Sequence, residues 1–589
     1  MGCAGSRSYK LGEFAIDEHR PIKIVCVGAG FSGIVAAIRQ IPDAEFSIYE
    51  RCAGVGGTWF TNRFPGLACD IPSHCYQYTF EAKADWSSFY APGAEIQAYL
   101  QSVVDKYQLM RYIKLQHEVV HAQYDQSSGK WLLRIRRQVD TADGGLPAYE
   151  EITDTADVFI TAVGIFSKWT WPDIEGLKEF GGELIHSADF GKEHQPWQDV
   201  VKTWGDKRIG VVGVGSSAIQ IVPALQPHVA HLINYVRGKT WICPPFSRSK
   251  ILELLQREPD CDNFKFTEVD KEKFRDEAFC KLFRYELETD INSLNPITYA
   301  DGATQKQGRE FIEAGMRTRL AKKPWIADHL TPDFGVACRR LTSGPGYLEA
   351  LCEDNVDFVA SPIKKITRTG VETEDGIRQD LDILLCATGY DYSFQLPFPV
   401  VGRSGITIQE RWAQYPSTYM SLCTDGFPNW FMALGPNSGV SSGSQLAVIE
   451  HQVDYMIEAT KKLQRGRLKS IDVKPEVVRD FDEYVEHYFP KTVFSQTCRS
   501  WYKGGKERGR VVALWPGSSL HNLRALQYPR WEDFNYEPLD DTENRLHWFG
   551  DGQTHNEKTM SGDRAWYLND DEMDYPPSTS QYSQRLQLY

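Results

Sequence analysis

The stretch IVCVGAGFSGIVAAIRQIPDAEFSIYER, residues 24–51, decides the fold. Residues 24–27 form a short apolar run typical of a buried parallel strand, and a glycine-rich turn and an Ala/Ile-rich helical run follow it. The glycines have separate tasks. Gly28 allows the tight turn, Gly30 lets a pyrophosphate approach the backbone, and Gly33 lets the helix pack on the strand. The order strand, glycine turn, helix predicts a dinucleotide-binding unit.

The start of this helix predicts where the phosphates bind. Its first turn contains Phe31 and Ser32, and a helix N-terminus offers free N–H groups and the positive end of the helix dipole. The next strand ends at Glu50, where a carboxylate can accept hydrogen bonds from ribose hydroxyls. A glycine-rich surface turn could contain the same short motif, but it would not be flanked by a strand and a helix and followed by Glu50.

A second motif, GGTWFTNRFPGLACD at residues 56–70, follows directly. Its glycine pair, its Trp, its aromatic-Pro-Gly and its final Asp match a long fingerprint, so the sequence resembles the flavin-dependent (type I) Baeyer–Villiger monooxygenases. The resemblance extends over roughly residues 20–535 and is greatest to fungal members that act on bulky natural products. It implies an α/β fold with two Rossmann-like dinucleotide-binding domains, for FAD and NADP. The cofactor contacts predicted from this part of the chain are Gly57, Thr58, Trp59, Asp70 and Tyr76, although aromatic residues near Tyr76 are also typical of a core.

A second strand, glycine turn and helix occur at RIGVVGVGSSA, residues 208–218. Ala218 replaces the third glycine, which is acceptable because that position needs only a small side chain. After the next strand the chain has Arg237 and Lys239 where an acid would favour NADH. Cations favour a 2′-phosphate, so we expect NADPH. The residues predicted to bind it are Gly213, Gly215, Ser216, Ser217, Gln220, Arg237 and Lys239.

The second signature of the family is only partly present. Phe180, Gly182 and His186 match it, but Phe190-Gly191 stands where the family has Trp followed by Pro or Asp. This variant resembles flavin monooxygenases that oxidise nitrogen or sulfur, so oxidation of a heteroatom stays open as an alternative. His186 is expected to organise the linker between the domains rather than to perform chemistry.

Two residues are predicted to act in catalysis. Arg340 ends the segment FGVACRR, residues 334–340, and falls on the family's catalytic arginine. A permanently charged donor near the flavin can stabilise negative charge that develops when reduced flavin captures oxygen. Asp70 is predicted to orient that guanidinium. An ordinary pair of surface arginines is the alternative reading of Arg339-Arg340.

Two later segments complete the predicted site. DILLCATGY, residues 382–390, reads as a buried strand that returns the chain to the flavin domain, and Thr388 and Gly389 at its end are predicted cofactor contacts. Residues 490–538 resemble the family's cofactor lid and C-terminal portion. Trp501 is expected to contact NADPH or substrate there.

The resemblance and the motif positions predict the domain organisation. The predicted units are a leader at 1–20, the first part of the FAD domain at 21–165, the NADP domain at 166–385 with a helical insertion at about 246–332, the second part of the FAD domain at 386–490, and a lid and extension at 491–589.

Composition excludes several classes of protein. The net charge of -14 argues against a nucleic-acid partner, because phosphate backbones require clustered Lys and Arg. We expect no transmembrane segment, since no apolar run approaches the length of about 18 residues that spanning needs. The 13 cysteines include no C-x-x-C pair and follow no secretory signal, so reduced thiols are expected rather than disulfides or a zinc site. Together these features predict a cytoplasmic protein without a metal.

The first residues carry a targeting pattern. Met1 to Ser6 matches the signal for N-myristoylation at Gly2, and Cys3 is available for palmitoylation. Two lipids would anchor the protein on a membrane face, since a single chain binds only marginally. A disordered leader of small residues explains the same stretch equally well.

The expected activity is that of an FAD- and NADPH-dependent monooxygenase. It would insert one oxygen atom of O2 next to the carbonyl of a small-molecule ketone and form an ester or lactone. The sequence does not identify the ketone. A flavoprotein that binds both nucleotides without turnover is a third reading, and Asp70 and Arg340 argue against it.

Overall fold

The computed structural model describes residues 9–39, 41–139, 148–191 and 195–569. The acylation pattern at Gly2 and Cys3 lies outside the described residues, and so does the end of the extension, 570–589.

The strands follow one another along the whole chain. In chain order they are β1 (Ile22–Val27), β2 (Ala44–Tyr49), β3 (Ile113–Lys114), β4 (His117–Asp125), β5 (Lys130–Val139), β6 (Ala148–Ala156), β7 (Val158–Thr161), β8 (Glu183–His186), β9 (Arg208–Val212), β10 (His231–Tyr235), β11 (Val356–Val359), β12 (Ile363–Ile366), β13 (Gly370–Thr373), β14 (Arg378–Asp380), β15 (Ile383–Cys386), β16 (Val400–Val401), β17 (Trp430–Met432), β18 (Leu468–Val473) and β19 (Phe534–Pro538).

The α-helices cluster around and between these strands. They are α1 (Phe31–Ile38), α2 (Thr58–Thr61), α3 (Gly93–Lys106), α4 (Trp197–Val200), α5 (Ala218–Leu225), α6 (Arg248–Leu255), α7 (Glu268–Arg275), α8 (Glu277–Ser293), α9 (Ala303–Arg319), α10 (Trp325–Leu330), α11 (Tyr347–Leu351), α12 (Ile408–Arg411), α13 (Gln445–Arg465), α14 (Pro475–Tyr488), α15 (Ser519–Gln527) and α16 (His555–Lys558).

Two five-stranded parallel sheets organise the molecule. The first has the order β17-β7-β1-β2-β3 and the second the order β11-β10-β9-β15-β8. Their central strands are buried along most of their length, because each sheet packs helices on one face and a small, mainly antiparallel sheet on the other. The protein is therefore an α/β protein with two Rossmann-like domains, as the two glycine turns predicted.

The chain interrupts the first sheet to build the second. It leaves the first sheet after β7, supplies β8 to β15 to the second sheet and the small sheet beside it, and returns to pair β17 with β7. Strands β4, β5 and β6 pair as antiparallel neighbours and form a meander. The domain boundaries stay a proposal, which this strand order supports.

The helical insertion comprises α6 to α10. On α8 the buried residues are Cys280, Phe283, Leu287 and Ile291, which recur at helical spacing and leave the charged residues on the opposite face. The insertion thus packs an apolar face against the core that contains α1 and α3, and it presents its charge runs to solvent.

The described part of the C-terminal extension is hydrogen-bonded to the N-terminal segment. Asp551 donates a backbone hydrogen bond to Phe14 and Ile16 donates one to Gln553. The Arg467 guanidinium lies 3.9 Å from the centre of the Phe14 ring. None of the described helices combines the length and apolarity that a membrane crossing would need.

Candidate active site

A cavity of about 1850 Å³ lies where the two nucleotide turns face each other. Sites for one small molecule are about 300–1,000 Å³, so this cavity has room for more than one ligand. Every predicted site residue except Gly33 lies on its wall. They are Gly28, Gly30, Phe31, Ser32, Glu50, Gly57, Thr58, Trp59, Asp70, Tyr76, Gly213, Gly215, Ser216, Ser217, Gln220, Arg237, Lys239, Arg340, Thr388, Gly389 and Trp501.

The first glycine turn needs its glycines for two physical reasons. Gly28 has φ +105°, a conformation that side chains rarely tolerate. A Cβ on Gly33 would lie 1.9 Å from the carbonyl oxygen of Gly28, so only glycine lets α1 pack on β1. Gly33 therefore sits behind the cavity, which agrees with the packing task that the motif predicted for it.

Glu50 is buried at the end of β2 and is held by the backbone. Its Oε2 accepts a hydrogen bond from the N–H of Ala29 at 2.8 Å, and its Oε1 accepts one from Cys52 at 2.8 Å. A carboxylate has about four acceptor positions, so each oxygen retains capacity for a ribose hydroxyl. The sequence did not predict that Glu50 also fixes the glycine turn.

The second glycine turn contacts the first domain through Gln220. The Gln220 side chain donates to the carbonyl of Ala68 at 3.0 Å and accepts from the Ala68 N–H at 3.4 Å. Gln220 was predicted as a cofactor contact. In the structure its amide also ties α5 to the segment that leads to Asp70.

Asp70 and Arg340 form a bidentate ion pair on the cavity wall. Nε of Arg340 donates to one carboxylate oxygen at 2.9 Å and Nη2 donates to the other at 2.8 Å. The attraction of Asp70 is the main cause that raises the pKa of Arg340 above its usual value. About a third of the arginine side chain stays exposed, and in the described part of the chain no acceptor bonds its Nη1. The guanidinium is thus a fixed, permanently charged donor whose Nη1 can still donate a hydrogen bond.

Aromatic side chains shape the wall on either side of this pair. Trp59 donates from Nε1 to the Tyr76 hydroxyl at 3.2 Å, and Tyr76 meets Phe31 edge to face. Trp501 packs against Phe166 and Tyr392, with ring centres 5.7 and 5.9 Å away. Trp501 belongs to the C-terminal segment, and these contacts fix it on the cavity wall.

His186 joins the linker to the end of β15. Its Nδ1 accepts the N–H of Ala188 at 3.2 Å, so a neutral ring carries its proton on Nε2, which lies 3.3 Å from the Thr388 hydroxyl. The ring stacks on Trp169, and burial lowers the pKa of His186 to about 4. A neutral, stacked histidine supports the organising role expected for it.

Phe190 and Gly191 do not reach the cavity. Phe190 is buried against Trp204 in the core of the NADP domain, and Gly191 takes φ +72° beside Arg63. Neither residue is on the part of the cavity wall that the structure describes. The departure from the family signature therefore changes core packing and not the described cavity wall.

The expectation that all cysteines are reduced is wrong. Cys338 and Cys498 form a disulfide, with their Cα atoms 6.7 Å apart and a sequence separation of 160. Pairing over such a distance cannot be read from spacing, because only the fold places the two loops side by side. The bridge lies directly before Arg339 and Arg499, which line the cavity and which motif reasoning did not assign. The repeated dipeptide Cys-Arg was the one sequence signal for them.

The chain is similar to several named proteins. Residues 26–91 match the NAD(P)-binding Rossmann-like domain family. Over 558 residues the chain is 37% identical to the FAD-binding monooxygenase tazF of Aspergillus terreus, covering 93% of this chain and 95% of that protein. It is 32% identical over 504 residues to a Baeyer-Villiger monooxygenase of Pseudomonas aeruginosa, covering 85% and 88%. The structure of oxidized steroid monooxygenase bound to NADP matches with a TM-score of 0.72 at 26% identity, covering 88% of this chain and 99% of that one.

Proposed function

Since the chain belongs to the FAD-binding monooxygenases that include the Baeyer–Villiger enzymes, we propose that it inserts one oxygen atom of O2 next to a ketone carbonyl and forms an ester or lactone. The enzyme is an NADPH-dependent flavoprotein monooxygenase. The observation that carries the proposal of carbonyl chemistry is the Asp70–Arg340 pair on the wall of a cavity shared by two nucleotide turns.

The residues present fit FAD at the first turn. The start of α1 offers backbone N–H groups and the positive end of a dipole to a pyrophosphate, and no acidic side chain lies in its first turn. Glu50 keeps acceptor capacity for the ribose, as described above. We propose that these groups hold FAD, with Gly57, Thr58 and Trp59 beside it.

The second turn fits NADPH by the same physical argument. A Cβ on Gly215 would meet no atom within 4 Å, so this glycine leaves open space on the cavity wall where a pyrophosphate can approach the backbone. Arg237 and Lys239 lie on the same wall and supply charge for a 2′-phosphate. FAD, once reduced by NADPH, supplies the two-electron chemistry that activates O2.

The chain contributes electrostatics and position to that chemistry. Arg340 holds positive charge at every working pH, and Nη1 is available to donate to an oxygen that becomes negative during the reaction. Asp70 fixes the plane of the guanidinium through two hydrogen bonds. Trp501 and the segment around it close one side of the cavity and exclude water.

A bulky ketone is the substrate class that we propose. The cavity exceeds what one cofactor-sized ligand needs, and one similar solved structure is named a steroid monooxygenase. Steroids are polycyclic, so a polycyclic natural-product ketone in a biosynthetic pathway suits a cavity of this size. Oxidation of nitrogen or sulfur is the second candidate, and its support is the resemblance of Phe190-Gly191 to the signature of heteroatom oxidisers, since neither residue is on the described cavity wall.

Product analysis tests the proposal. Purified yellow protein, NADPH and O2 are incubated with a mixture of polycyclic ketones and thioethers, and the products are identified by mass spectrometry. An ester or lactone supports carbonyl oxidation. Sulfoxide alone would assign the enzyme to the heteroatom oxidisers, and NADPH binding without oxygen uptake would indicate a flavoprotein that does not turn over.

A further inference from the structure

The disulfide brings two arginines from distant loops to one part of the cavity wall. Arg339 follows Cys338 in the loop that leads to Arg340, and Arg499 follows Cys498 in the lid segment, residues 496–507. Because the bridged Cα atoms are 6.7 Å apart, the residues that follow them are neighbours as well. Both arginines line the cavity.

Arg339 points to the predicted phosphate end of the NADPH site. Its Nη1 donates to the carbonyl of Lys239 at 2.5 Å and lies 3.3 Å from where a Cβ on Gly238 would be. Arg237 and Lys239 flank that glycine, so three cations meet at this end of the cavity. Arg499 from the lid segment is the fourth.

These four cations have no counter-ion in the described part of the chain. None of them forms an ion pair with a carboxylate there. Glu507, the acid of the lid segment on the cavity wall, interacts instead with the buried Lys503. The pKa of Arg339 is lowered, first by burial and next by repulsion from Arg499. Like charges held together without an acid form a site for a multiply charged anion.

We propose that the Cys338–Cys498 disulfide holds Arg499 against the 2′-phosphate of NADPH, so that the lid segment supplies part of the site that distinguishes NADPH from NADH. The inference rests on the proposed function, since it takes NADPH as the ligand. A guanidinium binds a phosphate through charge-assisted hydrogen bonds, and NADH has only a hydroxyl at that position. The bridge is the positioning element, because among the described residues the hydrogen bond of Arg499 stays within its own segment, from Nε to the carbonyl of Gly505 at 3.0 Å.

Arg508 provides a matched control on the same part of the chain. It donates from Nε to the Thr497 hydroxyl at 3.2 Å and is absent from the described cavity wall. Arg499→Gln and Arg508→Gln remove the same charge from neighbouring positions, and only the first removes it from the site. General electrostatic effects of lost charge are therefore common to both variants.

Calorimetric titration of the FAD-loaded protein with NADP+ and with NAD+ tests the inference. We expect Arg499→Gln to raise the Kd for NADP+ about tenfold, the size of one charge-assisted hydrogen bond. The Kd for NAD+ should not change, and Arg508→Gln should leave both constants at wild-type values. An unchanged Kd for NADP+ in Arg499→Gln, or an equal loss for both nucleotides, would overturn the assignment of Arg499 to the phosphate.

The role of the bridge is tested by Cys498→Ser and by a dithiol. The dithiol reduces the bridge to two thiols and is itself oxidised to a cyclic disulfide, so no substitution is needed if Cys498→Ser does not fold. Both treatments should raise the Kd for NADP+ and leave the Kd for NAD+ unchanged. Adding Arg499→Gln should then raise the Kd for NADP+ little further, because the two changes act through one group. Wild-type affinity after the bridge is opened, checked by thiol alkylation and mass spectrometry, would show that the bridge does not position Arg499. Oxygenated product from the wild-type protein is measured separately, so failure of the proposed function is distinguished from failure of this inference.

Discussion

Arg340 donates two hydrogen bonds to Asp70, at 2.9 and 2.8 Å, although 270 residues separate them in sequence. The pair joins the flavin fingerprint of the first domain to the loop between α10 and α11 in the second. Each residue thereby fixes the other on the cavity wall, and the charge of the arginine is the feature that a reaction with developing negative oxygen requires.

Replacing Arg340 should separate binding from chemistry. We expect Arg340→Ala to keep FAD and NADP+ but to lose product formation by about 10²-fold or more, because one preorganised donor to a developing charge contributes that much. Asp70→Asn should lose less, since the guanidinium remains and only its partner's charge is gone. Product per NADPH consumed is the measurement. Arg317→Gln, on a surface pair with Glu313 and Asp328, is the control, and normal product yield from Arg340→Ala would contradict the role assigned to it.

Two glycine substitutions should give opposite phenotypes. In Gly33→Ala the new Cβ would lie 1.9 Å from a backbone oxygen, so we expect a loss of about 3 kcal/mol or more in the free energy of unfolding and poor FAD retention. In Gly215→Ala the Cβ meets nothing within 4 Å, so stability should stay within about 0.5 kcal/mol of the wild type while NADP+ binds more weakly. Denaturant unfolding and nucleotide titration report the two effects. A stable, yellow Gly33→Ala protein would refute the packing argument.

His74 should make the fold sensitive to acid. It is buried among Phe266, Phe274 and Phe283, both ring nitrogens lack a partner in the described structure, and burial lowers its pKa from 6.5 to about 3. The unfolded chain therefore binds a proton at pH 5 that the folded chain does not, and stability falls as pH falls below 6.5. This one group should cost about 2 kcal/mol between pH 7 and pH 5.

His74→Leu is the variant that checks this. It removes the titrating ring and two unpaired polar atoms at similar volume, so we expect no loss of stability at pH 7 and a smaller loss on acidification. Unfolding free energies at pH 7 and 5 give the comparison with the wild type. Equal acid sensitivity in both proteins would mean that His74 is not buried in its neutral form.

Phe190→Trp should not change the type of reaction. It restores the residue found in the Baeyer–Villiger signature, but Phe190 packs against Trp204 in a core and away from the described cavity wall. We expect the ratio of ester to sulfoxide products to stay as in the wild type, at a cost of about 1–3 kcal/mol in stability from overpacking. A shift in that ratio would show that the linker transmits this position to the site.

The sequence predicted best where the chemistry is local. The turn from Gly28 to Gly33 could be interpreted from its own spacing, because a backbone that approaches a phosphate and a helix that crosses a strand both require small residues. The same holds for the second turn. Family resemblance then placed Asp70 and Arg340 in one site, a pairing that no local pattern contains.

What the sequence could not predict depends on contacts between distant segments. The bridge between Cys338 and Cys498 was missed because cysteine pairing follows the fold and not the spacing. Gln220 was predicted as a ligand contact, and its bonds to Ala68 could not be foreseen without knowing how the two domains lie together. Phe190 seemed to indicate the type of substrate, because its motif differs between the Baeyer–Villiger enzymes and the heteroatom oxidisers. Its burial against Trp204 shows that it contributes to core packing instead.

The return of the chain to its first sheet has a consequence for how the protein is made. Strand β17 at Trp430–Met432 forms the outer edge of a sheet whose other strands have emerged from the ribosome by residue 161, while the second sheet is complete at Cys386. While the second domain is synthesised and folds, the first domain lacks β17. The edge of β7 that pairs with β17 in the finished protein is then unpaired. The domain that is synthesised first is thus the last to close.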